Sequence, residues 1–308
     1  MHPQATSFAP SVPELAAKYA ASGPRYTSYP TAPQFRDGFK PDEATRQPPG
    51  AHSALSLYLH IPFCSDICYY CACNKTVTRD RSVSRRYLDY LRREIAMQSD
   101  RYGNNRPVRQ LHWGGGTPTF LDNAELTELM HELASHFRLL DQGEREYSIE
   151  IDPRSVDTNR IALLRGLGFN RVSLGIQDFD PLVQKSVNRY QPFNEVRALV
   201  AAVRHHQFRS MSYDLFYGLP HQDLLTMHDT LSKVFELAPD RIACYNYAHL
   251  PERFTSQRAI DRLSLPSADQ KLQLQAMISD TLTMAGYRHI GLDHYVLPGD
   301  DLATAQCE

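Results

Sequence analysis

Apolar residues alternate with polar ones in short runs along the chain, and longer stretches with helical spacing separate these runs. Six runs rich in β-branched and aromatic residues predict strands, at 55–61, 109–115, 146–152, 170–177, 210–218 and 241–248. Five stretches predict helices, around Tyr87–Ile95 and Leu126–Phe137 and at 157–166, 193–206 and 223–236. Asn123 and Asp157 are predicted to cap helix N-termini, and Gly168 to close the third helix.

The order of these elements predicts the fold class. Strands that alternate with helices in units of about 30 residues pair in parallel through crossover connections. The pattern therefore predicts an α/β fold with an open sheet or a barrel, and we predict a parallel (β/α)6 incomplete TIM-like barrel. Residues 1–50, rich in Pro, Ser and Ala with a short helix near 12–21, are predicted to form an N-terminal arm, and residues 51–308 the barrel domain.

Polar residues follow the predicted strands. They are His60, the run Gly114–Thr119, Glu150, Asp152, Gln177, Asp178, Asp214 and the run Asn246–His249. Parallel strands end on one face of a βα fold, and this face carries the chemistry. Six polar strand ends on one face predict an active site there.

Overall charge limits the candidate partners. The chain of 308 residues has a formal net charge of −2 and a pI of about 6.7. This balance argues against nucleic acid or an anionic membrane bound by bulk electrostatics. No apolar run reaches the ~18 residues of a membrane span, and the N-terminus lacks the pattern of a signal peptide. We therefore expect a cytoplasmic monomer with no nucleic-acid or membrane partner.

Four of the six cysteines lie within residues 64–73, and the other two are Cys244 and Cys307. A secreted disulfide scaffold spreads its cysteines along the chain, whereas this clustering is typical of metal or redox chemistry. A structural zinc site needs a second ligand pair, which the sequence lacks at a matching interval. Disulfides between such close neighbours would be strained.

Cys64, Cys68 and Cys71 have the spacing C-x3-C-x2-C directly after the first strand. A [4Fe–4S] cluster usually takes four thiolates, so three would leave one iron open to a small molecule with amino and carboxylate groups. We predict these three cysteines as cluster ligands. Cys73 is either a small buried residue or a further ligand.

The cysteine spacing resembles that of the radical S-adenosylmethionine (SAM) superfamily. The segments "SLYLHIPFCSDICYYCACNK" (56–75), "LHWGGGTPT" (111–119), "IEIDPR" (149–154) and "DLFYGLP" (214–220) more narrowly resemble oxygen-independent coproporphyrinogen III dehydrogenases of haem biosynthesis. This resemblance implies a [4Fe–4S] cluster, two SAM molecules and a porphyrinogen substrate whose two propionates are oxidatively decarboxylated to vinyl groups. It also implies an electron donor and an acceptor that the sequence does not identify.

The same resemblance implies the cofactor-binding residues. Tyr58, Tyr70, Gly115 and Glu150 match positions around the cluster-bound SAM, and Gly116, Thr117, Gln177, Arg189, Asp214 and Ala248 match the site of the second. Each also has a structural alternative. Glu150 and Asp214 could be solvated charges, Gly114–Gly116 only a turn, Arg189 a surface charge and Tyr58 a core residue.

The chain is shorter than the family it resembles, which implies that a C-terminal helical domain is missing. We therefore expect cluster binding, with slow turnover of coproporphyrinogen or none. Three alternatives remain open: a haem-trafficking relative with the same cysteine loop, a catalytically inactive protein that binds a cluster or haem, and a zinc-binding structural protein.

Overall fold

The computed structural model describes residues 34–38, 40, 53–141 and 143–307. The predicted arm lies outside the described residues except for 34–38 and 40, and its short helix near 12–21 lies entirely outside them. No helix in the described ranges is long and apolar enough to cross a bilayer.

Eleven strands form in the described part of the chain. They are β1 (Leu55–Ile61), β2 (Phe63–Cys64), β3 (Thr76–Val77), β4 (Pro107–Gly115), β5 (Arg138–Leu139), β6 (Glu146–Ile151), β7 (Arg171–Gln177), β8 (Ser210–Tyr217), β9 (Arg241–Asn246), β10 (Arg288–Gly291) and β11 (His294–Val296). All six predicted strands are confirmed, with ends that differ by at most two residues.

Eight α-helices accompany these strands in the described residues. They are α1 (Ser82–Tyr102), α2 (Asn123–His136), α3 (Thr158–Gly166), α4 (Pro181–Ser186), α5 (Phe193–His205), α6 (Leu224–Leu237), α7 (Ala268–Met284) and α8 (Asp301–Ala305). The five predicted helices are confirmed as α1, α2, α3, α5 and α6. The sequence patterns did not predict α4, α7, α8 or the two strands β10 and β11.

One predicted helix cap is wrong and another is confirmed. Asp122, not Asn123, caps α2, because its carboxylate accepts from the Glu125 amide at 2.8 Å while the Glu125 side chain accepts from the Asp122 amide. Asp157 caps α3 as predicted, accepting from the Arg160 amide. Gly168 follows α3 with φ +105°, a conformation that favours glycine.

The six long strands lie side by side in the order β1-β4-β6-β7-β8-β9, and every neighbouring pair is parallel. β11 then pairs antiparallel with β9, and β10 with β11. In the described part of the chain β1 and β10 end this order without pairing to each other. The predicted fold class, a parallel (β/α)6 incomplete barrel, is therefore confirmed, with an antiparallel hairpin added at one edge.

Strand alternation divides the sheet into an apolar and a polar face. In β6, Tyr147, Ile149 and Ile151 are buried in the main core, whereas Ser148 and Glu150 point to the opposite face. Strand register then places Glu150 beside Ser173 on this polar face. The predicted site residues Glu150 and Asp214 lie on this polar face, near the carboxyl ends of their strands.

Candidate active site

A short pair of strands anchors the cysteine loop. Phe63 and Cys64 of β2 pair with Thr76 and Val77 of β3, which closes the intervening segment into a loop. The Thr76 amide also donates to the Pro62 carbonyl at 2.6 Å. Both ends of the loop are therefore fixed beside the end of β1.

Cationic and polar groups surround the cysteine thiols. Cys68 Sγ accepts hydrogen bonds from Arg154 Nη2 at 3.3 Å and from Arg189 Nη1 at 3.4 Å. Cys64 Sγ lies 3.5 Å from the Thr117 hydroxyl. Burial raises the pKa of the Cys64 thiol, and the nearby Cys71 and Cys68 raise it further. The Cys68 sulfur therefore lies between two guanidinium groups.

Cys71 also lies in an environment that favours a thiolate. A hydrogen bond from the Cys73 thiol outweighs the effect of burial and, with the charge of Lys75, lowers the pKa of Cys71 to about 6. Lys75 Nζ donates to the Cys71 carbonyl at 2.9 Å. The interpretation of Cys73 as a small buried residue is wrong, because Cys73 is exposed.

The three cysteine thiols are chemically suited to bind an iron–sulfur cluster. Cys64, Cys68 and Cys71 are free thiols on one anchored loop, and hydrogen bonds to sulfur are among the contacts that tune such clusters. Among the described residues, no group of three or more His, Cys, Asp or Glu side chains could hold a single metal ion.

A small second hydrophobic core includes residues of the cysteine loop and packs against them. This loop core consists of Cys68, Tyr70, Val183, Val187, Leu219, Tyr247 and Ile260, and it is separate from the main core of the sheet. The Tyr70 ring packs 4.9 Å from that of Phe216, and the Tyr69 amide donates to the Val187 carbonyl. Burial raises the pKa of Tyr70 well above its ordinary value. Tyr70 is therefore a buried wall of the site and stays neutral.

The glycine run at the end of β4 packs against its neighbours too closely for side chains. A Cβ atom on Gly116 would lie 2.8 Å from the backbone of Pro62, and one on Gly114 would lie 2.7 Å from Glu150 Oε1. Gly115 has φ +122°, and its amide donates to Glu150 Oε2 at 3.1 Å. Gly114 and Gly115 belong to β4 and Gly116 follows it, and the run packs against Glu150 and Pro62, so its interpretation as only a turn is wrong.

Tyr58, His112 and Glu150 form a connected group beside the glycine run. The Tyr58 side chain is 58% exposed and stacks on the His112 ring, with centroids 5.6 Å apart. His112 Nε2 in turn lies 3.1 Å from Glu150 Oε1. The alternative that Tyr58 is a core residue is therefore wrong. His60 bonds to the Tyr58 hydroxyl and to the Asn74 carbonyl, as expected of a structural histidine.

Arg189 lies in a buried ionic group and not at the surface, where the structural alternative placed it. Only 6% of the residue is exposed, and its Nη1 is 3.0 Å from Asp152 Oδ2. Arg154 Nη2 bonds to the same oxygen at 2.7 Å. Burial alone would raise the pKa of Asp152, but Arg189 and Arg154 lower it to about 2. Arg189 Nη2 also donates to the Gly175 carbonyl.

The end of β7 carries a strained and partly unsatisfied residue. Gln177 has φ +67°, and its buried Oε1 has no hydrogen-bond partner among the described residues. The next residue, Asp178, accepts from Thr230 Oγ1 at 2.7 Å and from Gln222 Nε2 at 2.5 Å, and burial raises its pKa to about 6. An unsatisfied buried acceptor is suited to a ligand that donates a hydrogen bond.

Asp214 lies on the polar face of β8 and is not a solvated charge. Burial is the main cause that raises the pKa of its carboxyl from 3.8 to about 7, and the charge of Glu150 adds to the effect. The Ser173 hydroxyl donates to Asp214 Oδ2 at 3.3 Å. Glu150 itself is about half exposed, so part of the solvated-charge interpretation holds for it.

The Asp214→Asn variant is expected to be more stable than the parent protein at pH 8. Because the folded pKa lies above the unfolded one, ionisation of Asp214 opposes folding, and stability falls as pH rises from about 4 to 7. Asparagine removes this cost, with an expected gain of about 2–4 kcal/mol at pH 8 that shrinks at pH 5. Urea unfolding of the apoprotein at both pH values measures the gain. Exposed Asp229→Asn is the control, and an equal gain at both pH values would contradict the prediction.

The structure brings the predicted site residues into two neighbouring groups. Tyr58, Gly115 and Glu150 are connected through His112 and hydrogen bonds, and Arg189, Gln177 and Asp214 lie next to Gly175, while Thr117 contacts Cys64. Ala248 follows β9, and its carbonyl accepts from Gln257 at 3.2 Å. The predicted set lacks Arg154, His112 and Gln257, each of which contacts a predicted site residue. The only signal for Arg154 was its place in "IEIDPR".

Comparison with known proteins gives the family. A profile of the radical SAM superfamily matches residues 58–234, which is more than half of the chain. This chain belongs to the radical SAM superfamily. Membership implies a [4Fe–4S] cluster and S-adenosylmethionine, in agreement with the thiols and polar strand ends described above.

Individual relatives of this radical SAM protein resemble it over nearly its whole length. Oxygen-independent coproporphyrinogen III oxidase of Pseudomonas aeruginosa is 53% identical over 296 residues, which cover 95% of this chain and 64% of that protein. The enzyme of the same name from Synechocystis is 43% identical, over 95% of this chain and 63% of the relative. The structure of coproporphyrinogen III oxidase (HemN) from Escherichia coli, a radical SAM enzyme, has a TM-score of 0.88 and 43% identity, over 95% of this chain and 66% of that one. The chain thus spans a little under two thirds of these relatives.

Proposed function

We propose that this chain is the radical SAM portion of an oxygen-independent coproporphyrinogen III oxidase. The observation that carries the proposal is identity of 53% over 95% of the chain to a relative of that name, in a chain with three free thiols at C-x3-C-x2-C. In the proposed reaction each of two propionates of coproporphyrinogen III loses a hydrogen atom, CO2 and one electron and becomes a vinyl group. The product is protoporphyrinogen IX.

Cys64, Cys68 and Cys71 are the proposed ligands of the cluster. When bound, the cluster would supply the electron that splits SAM into methionine and a 5′-deoxyadenosyl radical. The protein's part is to hold and tune it. Arg154 and Arg189 donate to Cys68 Sγ, so they would stabilise negative charge on that ligand.

The group around Glu150 is the proposed site of the cluster-bound SAM. The Glu150 carboxylate is held by the Gly115 amide and His112, yet it is about half exposed and so can accept from an ammonium or from ribose hydroxyls. Tyr70 supplies an apolar wall next to the cysteines. The glycine run lets the backbone approach the ligand closely.

The group around Arg189 is the proposed site of a second SAM. Gln177 offers an unsatisfied buried carbonyl oxygen, and Asp214 a carboxyl whose charge burial disfavours. Thr117, Gly116 and Ala248 complete the proposed set. Two SAM molecules suit two decarboxylations, because each decarboxylation consumes one radical.

The remaining partners follow from this assignment. The substrate is a porphyrinogen with propionate groups, and one electron donor and one acceptor of unidentified nature are needed. A cytoplasmic location and a monomeric state remain predictions of the sequence.

The experiment is an anaerobic assay of the reconstituted protein with SAM, dithionite and coproporphyrinogen III. Release of 5′-deoxyadenosine together with protoporphyrinogen IX supports the proposal, and the full-length P. aeruginosa relative is the positive control. Release of 5′-deoxyadenosine without vinyl products would assign the radical chemistry but not the substrate. A protein that binds haem and releases no 5′-deoxyadenosine would overturn the proposal in favour of haem trafficking.

A further inference from the structure

The end of β7 departs from regular strand geometry. In its pairing with β8, Gly175 lies opposite Asp214 and Gln177 lies opposite Leu215, so Ile176 is an extra residue on β7. Such a β-bulge bends the strand and redirects the side chains next to it. Gln177 then has φ +67°, a left-handed conformation that is costly for a residue with a side chain. This conformation persists only where the surrounding structure holds it.

The bulge places the Gln177 side chain against Gly175. A Cβ atom on Gly175 would lie 2.8 Å from Gln177 Nε2 and 2.8 Å from Arg189 Nη2. The glutamine amide and the guanidinium therefore flank the same glycine. In this position Gln177 Oε1 is buried and finds no partner in the described part of the chain, so it is available to a ligand that donates a hydrogen bond.

Asp178 fixes the turn that holds Gln177. Its amide donates to the Ile176 carbonyl at 2.8 Å, which closes a three-residue turn with Gln177 at its centre. The Asp178 side chain is 1% exposed, and its Oδ1 accepts from Thr230 Oγ1 at 2.7 Å and from the Asp180 amide at 2.6 Å. Its Oδ2 accepts from Gln222 Nε2 at 2.5 Å.

These partners belong to three different parts of the fold. Thr230 lies in the middle of α6, Gln222 in the loop after β8, and Asp180 directly before α4. One carboxylate thus ties the end of β7 to a helix, to a neighbouring loop and to the start of the next helix. Without these bonds the buried donors would be left unsatisfied, and the turn would relax to find other partners.

We propose that Asp178 is a positioning residue that keeps Gln177 in its strained conformation, so that the Gln177 carbonyl oxygen can accept a hydrogen bond from SAM. This inference rests on the proposed function, because it takes Gln177 as a SAM contact from that assignment. Asp178 is too deeply buried to touch the ligand itself. It acts through the turn that contains Gln177.

Asn170 provides a matched control at the other end of the same strand. It precedes β7 and is 5% exposed. Its Oδ1 accepts from the Tyr147 amide at 2.9 Å, and its Nδ2 donates to the Arg145 carbonyl at 2.8 Å. Its loss therefore weakens the attachment of β7 without altering the turn at Gln177.

The test compares Asp178→Ala, Asp178→Asn, Gln177→Ala, the double variant Gln177→Ala/Asp178→Ala and Asn170→Ala with the wild type. Asp178→Asn keeps the Oδ1 acceptor for Thr230 and Asp180 and loses only the bond from Gln222, so it serves where the alanine variant does not fold. All proteins are reconstituted anaerobically. Iron content, thermal stability and the SAM binding isotherm by equilibrium dialysis are measured.

We expect Gln177→Ala and Asp178→Ala to retain iron and each to weaken the same step of SAM binding about tenfold, and Asp178→Asn to weaken it about threefold. The double variant should bind SAM no more weakly than Gln177→Ala, because the effect of Asp178 passes through the Gln177 side chain. Asn170→Ala should lose thermal stability with unchanged SAM affinity.

Three results would overturn this inference alone: wild-type SAM affinity in both Asp178 variants, additive losses in the double variant, or an equal loss of affinity in Asn170→Ala. Wild-type affinity in Gln177→Ala would overturn the assignment of Gln177 as a SAM contact and this inference with it. A wild type that binds no SAM would overturn the proposed function as a whole.

Discussion

Cys68→Ala is expected to lose the cluster and to release 5′-deoxyadenosine at least about a hundredfold more slowly than the parent protein. Cys68 is a proposed ligand, and two guanidinium groups donate to its sulfur. A [4Fe–4S] cluster left with two protein thiolates would be held at only half of its irons. Iron and sulfide content after anaerobic reconstitution, absorption of the cluster and 5′-deoxyadenosine release measure the effect.

Two other cysteines serve as controls for this variant. Cys244→Ala removes a thiol that is buried in the main core, so it should lower stability while iron content stays unchanged. Cys73→Ala removes the exposed thiol that donates to Cys71, and it should also retain the cluster. Full iron content in Cys68→Ala, or loss of iron in Cys73→Ala, would show that the three assigned ligands are wrong.

Arg189→Met is expected to lower the free energy of unfolding by about 3–5 kcal/mol at pH 7, because it leaves the buried Asp152 carboxylate short of a partner. Arg189 also belongs to the proposed site of the second SAM, so activity should fall as well. Urea unfolding of the apoprotein and the rate of vinyl-product formation by the holoprotein measure the two effects separately.

The pH dependence of this loss identifies its cause. The folded pKa of Asp152, about 2, lies below the ordinary value of 3.8, so its contribution to stability is present above pH 4 and is lost as pH falls towards 2. The difference in the free energy of unfolding between Arg189→Met and the parent should therefore shrink below pH 4.

The double variant Asp152→Asn/Arg189→Met should recover stability but not activity. Arg154→Met, at a more exposed position, should cost only about 1 kcal/mol. A loss independent of pH would contradict the ionic explanation.

The sequence predicted those parts of the fold whose pattern is local. Each of the six parallel strands is a run rich in β-branched or aromatic residues. The spacing of apolar residues along the sequence predicted the ends of these strands to within two residues. The cysteine loop was predictable because its spacing is contained in eight residues. The antiparallel hairpin was not, because β10 is four residues long and half exposed, without an alternating pattern.

Contacts between distant segments were beyond prediction from a single sequence. Asp152 bonds to an arginine 37 residues further along the chain, and nothing in the local pattern distinguishes Arg189 from a surface arginine. The resemblance to a family indicated its role, whereas Arg154 and His112 became apparent only when the strands were placed side by side. The wrong cap at Asn123 has a similar origin, since Asp122 and Asn123 are both good capping residues and only the helix geometry decides between them.

The support of the cysteine loop depends on residues that lie far along the chain. Tyr70 and Gln257, which bond to each other, are 187 residues apart, so the ribosome must finish most of the chain before the cysteine loop reaches its final place. Until then the thiols belong to a nascent segment without its supporting layer. The cysteine loop can therefore reach its supported position only after residue 257 has been synthesised.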